Sequence, residues 1–301
     1  MTLPTPDVSI VFDTETDEGD HDVRLADVLE AWRHQTQANR VAEWIFVSPR
    51  RPTAEEDSVL RGMRHRWIHR PNLRYYEQKN AGLLEARTPY AALSDSDAAP
   101  DADWLEAALD AMDAAPTEVV AVTGRTRFRP GPFSRELELA QWPHLRSAAY
   151  DCDQILAHNV LFRVEALRAL LFTAPRIRHG GENALVAELL RRELRIRYDP
   201  GLRMTHNYAR KIGEIWLHAA ALGFSYANFE AHEGKPRASV LWNGVGRYRV
   251  LARRLLSTAR HFDIPNLRYP LSLLFFAWYC VAVGSGYSRA LRGRPEPFAA
   301  F

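Results

Sequence analysis

Two carboxylates one residue apart, Asp95 and Asp97, follow the apolar run Tyr90-Ala-Ala-Leu-Ser. On a turn that ends a strand both can face a crevice, and hard oxygen donors of this kind suit Mg2+ or Mn2+ bridging a diphosphate. The triplet by itself carries little, because Asp-x-Asp recurs at 20/22, 101/103 and 151/153. What separates 95/97 is its place after a predicted strand, with Tyr75-Tyr-Glu-Gln-Lys-Asn-Ala-Gly upstream. Asp101 and Asp103 have a plainer reading. They stand behind Pro100 at the head of an amphipathic stretch, Asp103 to Met112, as a helix cap or first-turn acid.

The elements that must position these carboxylates alternate. Val8 to Phe12 reads as a buried strand, Arg24 to Trp32 has helical spacing, and Trp44 to Val47 is a second strand. A helix near Glu55 to Arg64, a strand at Trp67 to His69, a helix from Ala81 to Ala86 and a strand at Tyr90 to Leu93 continue the series. Strand, helix, strand at this spacing implies a parallel α/β sheet, and ligands of such sheets bind outside the carboxyl ends of the strands. The chain has 301 residues, 47% of them apolar, with eight Trp, thirteen Phe and eleven Tyr, which is too hydrophobic for disorder. Cys152 and Cys280 stand alone, so neither a zinc module nor a disulfide framework is supported. The N-terminus has no basic region ahead of an apolar run, so no signal peptide is predicted and the expected location is cytoplasmic.

In this setting the order of motifs resembles family 2 glycosyltransferases of the GT-A fold. Gln78 to Gly82, then Ala86 to Asp97, then Pro100 and Trp104-Leu105, are similar to that family's Asn-x-Gly, Ala-x-Gly and Asp-x-Asp progression. Val8 to Glu15 resembles its first nucleotide-binding strand, and His158-Asn159 through Leu167 its Asn-x-x-x-x-Arg-Arg-Glu-Ala-Leu segment. Gly180-Gly181-Glu182-Asn183 through Leu189 is similar to its Gly-Glu-Asp acceptor-side motif.

The resemblance covers residues 7 to 208. It implies a mixed, mainly parallel sheet flanked by helices, with a catalytic domain over 1–208, a nucleotide-sugar half over 1–125 and an acceptor half over 126–208. A helical, basic and apolar extension, 209–301, follows. The implied reaction moves a hexose from a nucleotide-diphosphate sugar to an acceptor hydroxyl, with inversion and with Mn2+ or Mg2+ opposing the charge of the leaving diphosphate. Asp97 and His206 would hold the cation, with Asp95 shared between metal and ribose. Asp13, Thr14 and Glu15 would meet the nucleoside, and Lys79 the base or phosphate. His158, Asn159, Gly181 and Asn183 would line the sugar or acceptor side.

An alcohol is a poor nucleophile at neutral pH and needs a base. Relatives commonly have an aspartate where this chain has Asn183, which cannot accept a proton. Glu182, at the start of a helix and held ionised by that helix end, is then the candidate. The paired aspartates that often end the second strand are also absent, since Ser48 stands there, which leaves the nucleobase open. Two alternatives belong beside this reading: a nucleotidyltransferase on a similar sheet, and a binding or scaffold protein that kept the fold and lost transfer.

Charge divides the chain. From Val240 to Phe301 nine Arg face only Asp263 and Glu296, a net +7, which leaves −5 on the rest. Arg and apolar residues alternate from Gly246 to Phe262 in the manner of an interfacial helix, and Leu271 to Gly284 is apolar but short of the ~20 residues a span needs. The expectation is a segment, 246–294, that packs on the catalytic domain or lies peripherally on the cytoplasmic face of a membrane. No basic-aromatic module for nucleic acid is recognisable.

Overall fold

A computed structural model describes residues 7–14, 25–142, 146–168, 170–172, 181–207, 211–232, 237–295 and 297. These fall into two compact units, one from the described residues of Met1–Arg127, Leu145–Arg176 and Gly181–Asn207, the other from those of Phe128–His144 and Tyr208–Phe301. One boundary between them falls after Asn207, and the stretch after β6 groups with the C-terminal helices.

The first unit is built on one mixed sheet. Its strands are β1 (Val8–Asp13), β2 (Val41–Ser48), β3 (His65–His69), β4 (Tyr90–Asp95), β5 (Ala98–Pro100), β6 (Val119–Phe128), β7 (Tyr150–Cys152), β8 (Val160–Arg163) and β9 (Arg195–His206). Their order is β3-β2-β1-β4-β8-β6-β9-β5, with β7 on β9. The first four run parallel. β8 then meets β4 antiparallel, as do β5 and β9 with each other. This is the α/β sheet of a GT-A fold.

Helices α1 (Leu25–Arg33), α2 (Ala54–Leu60), α3 (Tyr75–Glu85) and α4 (Trp104–Asp113) connect the strands, and α6 (Val164–Leu167) and α7 (Gly181–Arg191) follow β8. α1 buries Leu25, Val28, Leu29 and Trp32. Trp32 meets Phe12, Trp44 and Trp104 edge to face, 5.0 to 6.4 Å between ring centres, and its indole N–H donates to Ser94 Oγ. Aromatic clusters of this kind dominate core energetics.

α3 begins six residues earlier than the predicted Ala81. Its buried positions include Gln78, Lys79 and Gly82, so no apolar period reveals its first two turns. Gly82 has a direct packing role: a Cβ there would stand 2.2 Å from Val11 Cγ1, and only glycine lets α3 lie this close to β1.

The second unit contains α5 (Ser134–Gln141), α8 (Ile212–His232), α9 (Arg237–Thr258) and α10 (Tyr269–Leu291). The predicted apolar run of about fourteen residues is the middle of a 23-residue helix, α10. Gly284, Ser285, Gly286 and Ser288 lower its hydropathy without ending it, because Gly286 is a contact point. A Cβ on Gly286 would lie 1.8 Å from Ala220 O of α8.

Candidate active site

The parallel register of β1 and β4 pairs Asp13 with Asp95, so two carboxylates end adjacent strands side by side. α3 answers with Lys79, fully buried, whose Nζ lies 2.5 Å from Asp13 Oδ2 and 2.6 Å from Asp95 Oδ1. One ammonium thus serves two buried carboxylates. Burial opposes ionisation of Asp95, yet Lys79 and then His206 outweigh it and hold the carboxyl well below its usual range. Burial pushes Asp13 well above that range, with the Asp95 charge adding to the rise. Lys79 keeps its proton, since the two carboxylates overcome the cost of its burial. The predicted reach of Lys79 toward base or phosphate is therefore corrected: in this structure its amine is spent inside the protein.

β4 ends at Asp95, the chain turns through Ser96 and Asp97, and β5 pairs Ala98 with His206 at the end of β9. That pairing brings His206 Nε2 to 3.3 Å from Asp97 Oδ1 and 3.6 Å from Asp95 Oδ2. Asn207 fixes the turn by donating its backbone N–H (2.8 Å) and side-chain amide (3.0 Å) to the Asp97 carbonyl.

His158, just ahead of β8, places Nδ1 3.9 Å from Asp95 Oδ2 and stacks on His206 with ring centres 4.6 Å apart. Ligand atoms of Asp95, His158 and His206 all lie within 4.8 Å of one another. His158 belongs with the carboxylates and not on the sugar side, where the sequence placed it. The two rings have opposite electrostatics. Burial drives His158 down to about 3, helped by the charge of His206, whereas Asp97 and Asp95 overcome burial and push His206 up to about 10.

Glu182 stands in the first turn of α7 and is half-buried. It accepts a hydrogen bond from the hydroxyl of Tyr76, a ring that is 1% exposed and packs on Phe172 with centres 5.1 Å apart. Burial raises the Glu182 carboxyl above its ordinary value, against the lowering effect of that bond. Gly181 is required by the same ring, since a Cβ there would stand 2.6 Å from Tyr76 Cε2. Tyr75, one residue earlier, donates to both oxygens of Asp95 at 3.1 and 3.2 Å, and its ring faces Lys79 Nζ at 4.6 Å.

Sequence reasoning missed this tyrosine pair. The signal available was Tyr75 four residues before Lys79, one face of a helix, had α3 been placed correctly.

Of the remaining candidates, Thr14 is buried at the end of β1, donating through Oγ1 to Ser48 Oγ at 2.6 Å and through its backbone N–H to Gln78 Oε1 at 3.3 Å. Glu15 lies outside the described residues. Asn159 is a brace and not a sugar contact: its Oδ1 accepts from the Trp104 indole at 2.7 Å and its Nδ2 donates to Thr126 Oγ1 at 3.0 Å. Asn183 is exposed. Asp101 and Asp103 flank the start of α4, but no side-chain cap forms, because both are paired with Arg203 at 3.0 and 2.9 Å.

The family model described as Glycosyl transferase family 2 matches residues 51–174. That span contains Lys79, Asp95, Asp97 and His158 and stops before Glu182 and His206. No curated protein matches the chain in sequence. Among solved structures, the mannosyltransferase PcManGT from Pyrobaculum calidifontis, in complex with GDP-Man and Mn2+, has a TM-score of 0.62 at 15% identity, covering 97% of this chain and 89% of that one. At that identity the likeness is one of fold. Residues 51–174 thus match the family 2 glycosyltransferase model, and the fold is that of GT-A, as the order of the motifs implied.

Proposed function

We propose that this protein transfers a sugar from a nucleotide-diphosphate donor to an acceptor hydroxyl by single displacement, with Glu182 as the base. The observation that carries the reading is the joining of two carboxylate centres by consecutive residues of α3, with Tyr75 on Asp95 and Tyr76 on Glu182. A donor site and a proton acceptor held by one rigid element keep the reacting groups in register, which is where much of the rate of such a reaction comes from.

Asp95, Asp97, His158 and His206 fit a divalent cation. They offer two carboxylates and two imidazoles, a set suited to Mn2+, with ligand atoms of Asp95, His158 and His206 within 4.8 Å of one another and Asp97 Oδ1 3.3 Å from His206 Nε2. Bound there, the cation would supply charge stabilisation for the departing diphosphate. The chain's own residues do the rest. Lys79 and Tyr75 fix the Asp95 carboxylate, and Glu182, its carboxyl raised by burial, takes the proton of the acceptor hydroxyl, its Oε2 held by Tyr76. The mannosyltransferase of similar fold binds GDP-Man, so a nucleotide-sugar donor is the first class to screen.

The test is a transfer assay with a panel of nucleotide-diphosphate sugars and Mn2+, run on the wild type and on Glu182→Gln. Loss of a general base costs about 10²–10⁴-fold. In the wild type the acid limb of the rate profile should stand above the range of an ordinary carboxylate, because activity falls as Glu182 is protonated. Wild-type rates in Glu182→Gln would remove Glu182 as base, and failure of every nucleoside diphosphate to stabilise the protein with Mn2+ would remove the donor reading.

A further inference from the structure

The second unit shows one face of α10 to solvent, and that face is apolar. Leu267 in the turn before the helix is 95% exposed, Leu271 48%, Leu274 69% and Val281 61%, with half-buried Trp278 between the last two. Their spacing of four, three, four and three residues puts all five on one line, about 21 Å long at 1.5 Å per residue. α9 adds a second line, Arg249, Arg253 and Leu256, continued by Arg260 in the turn after the helix, all exposed, Leu256 at 73%. Arg292 and Arg294 lie exposed beyond the end of α10, and Asp263 is the single acid from Gly246 to Pro295.

The opposite face of α10 is committed to the protein. Phe275, Phe276, Tyr279, Val283 and Tyr287 are buried, and α8 and α10 touch backbone to backbone at Gly223 and Gly286. Residues Asn266–Leu291 are long and apolar enough to cross a membrane by length and composition, but 44% of the apolar window is buried inside the protein. What remains for lipid is a stripe, not a cylinder, and a stripe flanked by arginine is the pattern of a helix lying in the headgroup region.

We propose that the second unit docks on an anionic lipid surface through Leu267, Leu271, Leu274, Trp278 and Val281, with Arg249, Arg253, Arg260 and Arg292 on the headgroups. Charge selects this occupant over a second copy of the chain. Two such faces would bring arginines together with almost no carboxylate to answer them, whereas anionic headgroups supply the missing charge.

The experiment is co-sedimentation of the full chain with vesicles of phosphatidylcholine alone and with one part in three phosphatidylglycerol, at low and high salt. The expected result is binding at least tenfold tighter to the anionic vesicles, weakened by salt and lost in the double variant Leu267→Glu, Leu274→Glu. Arg249→Glu, Arg253→Glu, which replaces only exposed residues, should lose the preference for anionic vesicles, and it tests the proposal even if the leucine variant fails to fold. Three results would overturn it: no wild-type binding to anionic vesicles, undiminished binding by a folded variant, or a wild-type dimer in sedimentation velocity that the leucine variant converts to monomer while vesicles bind neither.

Discussion

Lys79 offers the sharpest test of how the site is built. Replacing it by Met keeps the length and apolar bulk of the side chain and removes its charge, which leaves Asp13 and Asp95 facing each other in the core with no cation between them. Both are buried, at 0% and 3% exposure, so neither can recover its charge from water. Breaking a buried pair by deleting one partner costs about 3–5 kcal/mol. At about 2–4 °C per kcal/mol for a unit of 150–250 residues, the melting temperature should fall by roughly 6–20 °C. Thermal unfolding followed by circular dichroism reads this directly. The second arm removes the stranded carboxylate: Lys79→Met with Asp13→Asn should recover much of the loss, giving a coupling energy above about 1 kcal/mol in the cycle of single and double variants. A lysine that served a donor phosphate would behave otherwise. Its loss would weaken donor binding and leave the melting temperature of the free protein unchanged. A Lys79→Met variant that melts with the wild type, or a double variant no better than the single one, would refute the assignment.

Two other perturbations follow from the same geometry. His158→Ala should weaken Mn2+ binding at least tenfold, read by titration calorimetry without donor, because the ring belongs to the cluster of Asp95 and His206; unchanged Mn2+ affinity with a raised KM for donor would return His158 to the sugar side. Glu56 tests the electrostatics of the first unit. Its burial opposes ionisation, but Arg50 at 2.6 and 2.8 Å and the Thr53 N–H at 2.7 Å outweigh it and hold the carboxyl below its usual range. A carboxyl lowered by folding contributes stability that is present above its unfolded pKa and drains away as pH falls through the folded one. The gap in melting temperature between wild type and Glu56→Gln should thus be widest near neutrality and close in acid; a gap independent of pH would show that the loss is one of packing.

The sequence announced the sheet more readily than the site. β1, β2 and β4 are apolar runs buried on both faces, and such strands are legible as hydrophobic segments. The order of motifs along them placed Asp95, Asp97 and Glu182 at element ends, where the structure has them. α3 was half hidden because its buried face carries Gln78 and Lys79, and a pattern search for apolar spacing reads polar residues as surface. The resemblance turned Lys79 toward base or phosphate and Asn159 toward a sugar, although each is fully buried against named partners. His158 was misplaced for a different reason. Its position ahead of β8 is local, but its neighbours Asp95 and His206 arrive through the β4–β8 and β5–β9 pairings, and long-range register is what a linear reading lacks.

That distinction also explains why α3 governs the site. Asp95 is fixed by a strand end and Glu182 by the first turn of a helix 87 positions further along the chain, so nothing in either segment sets their separation. Consecutive residues at the start of α3 do: Tyr75 reaches one and Tyr76 the other, and the rings touch edge to face with centres 4.8 Å apart. Lys79, one turn on, fixes the Asp95 side again, and Asn80 ties the helix to Phe172 through two hydrogen bonds of 2.9 Å. A shift of α3 along its axis would therefore move both carboxylates at once. The close approach at Gly82 opposes that shift, because the helix can lie against Val11 only where its side chain is missing. A glycine with no chemistry of its own thus helps set the spacing between Asp95 and Glu182.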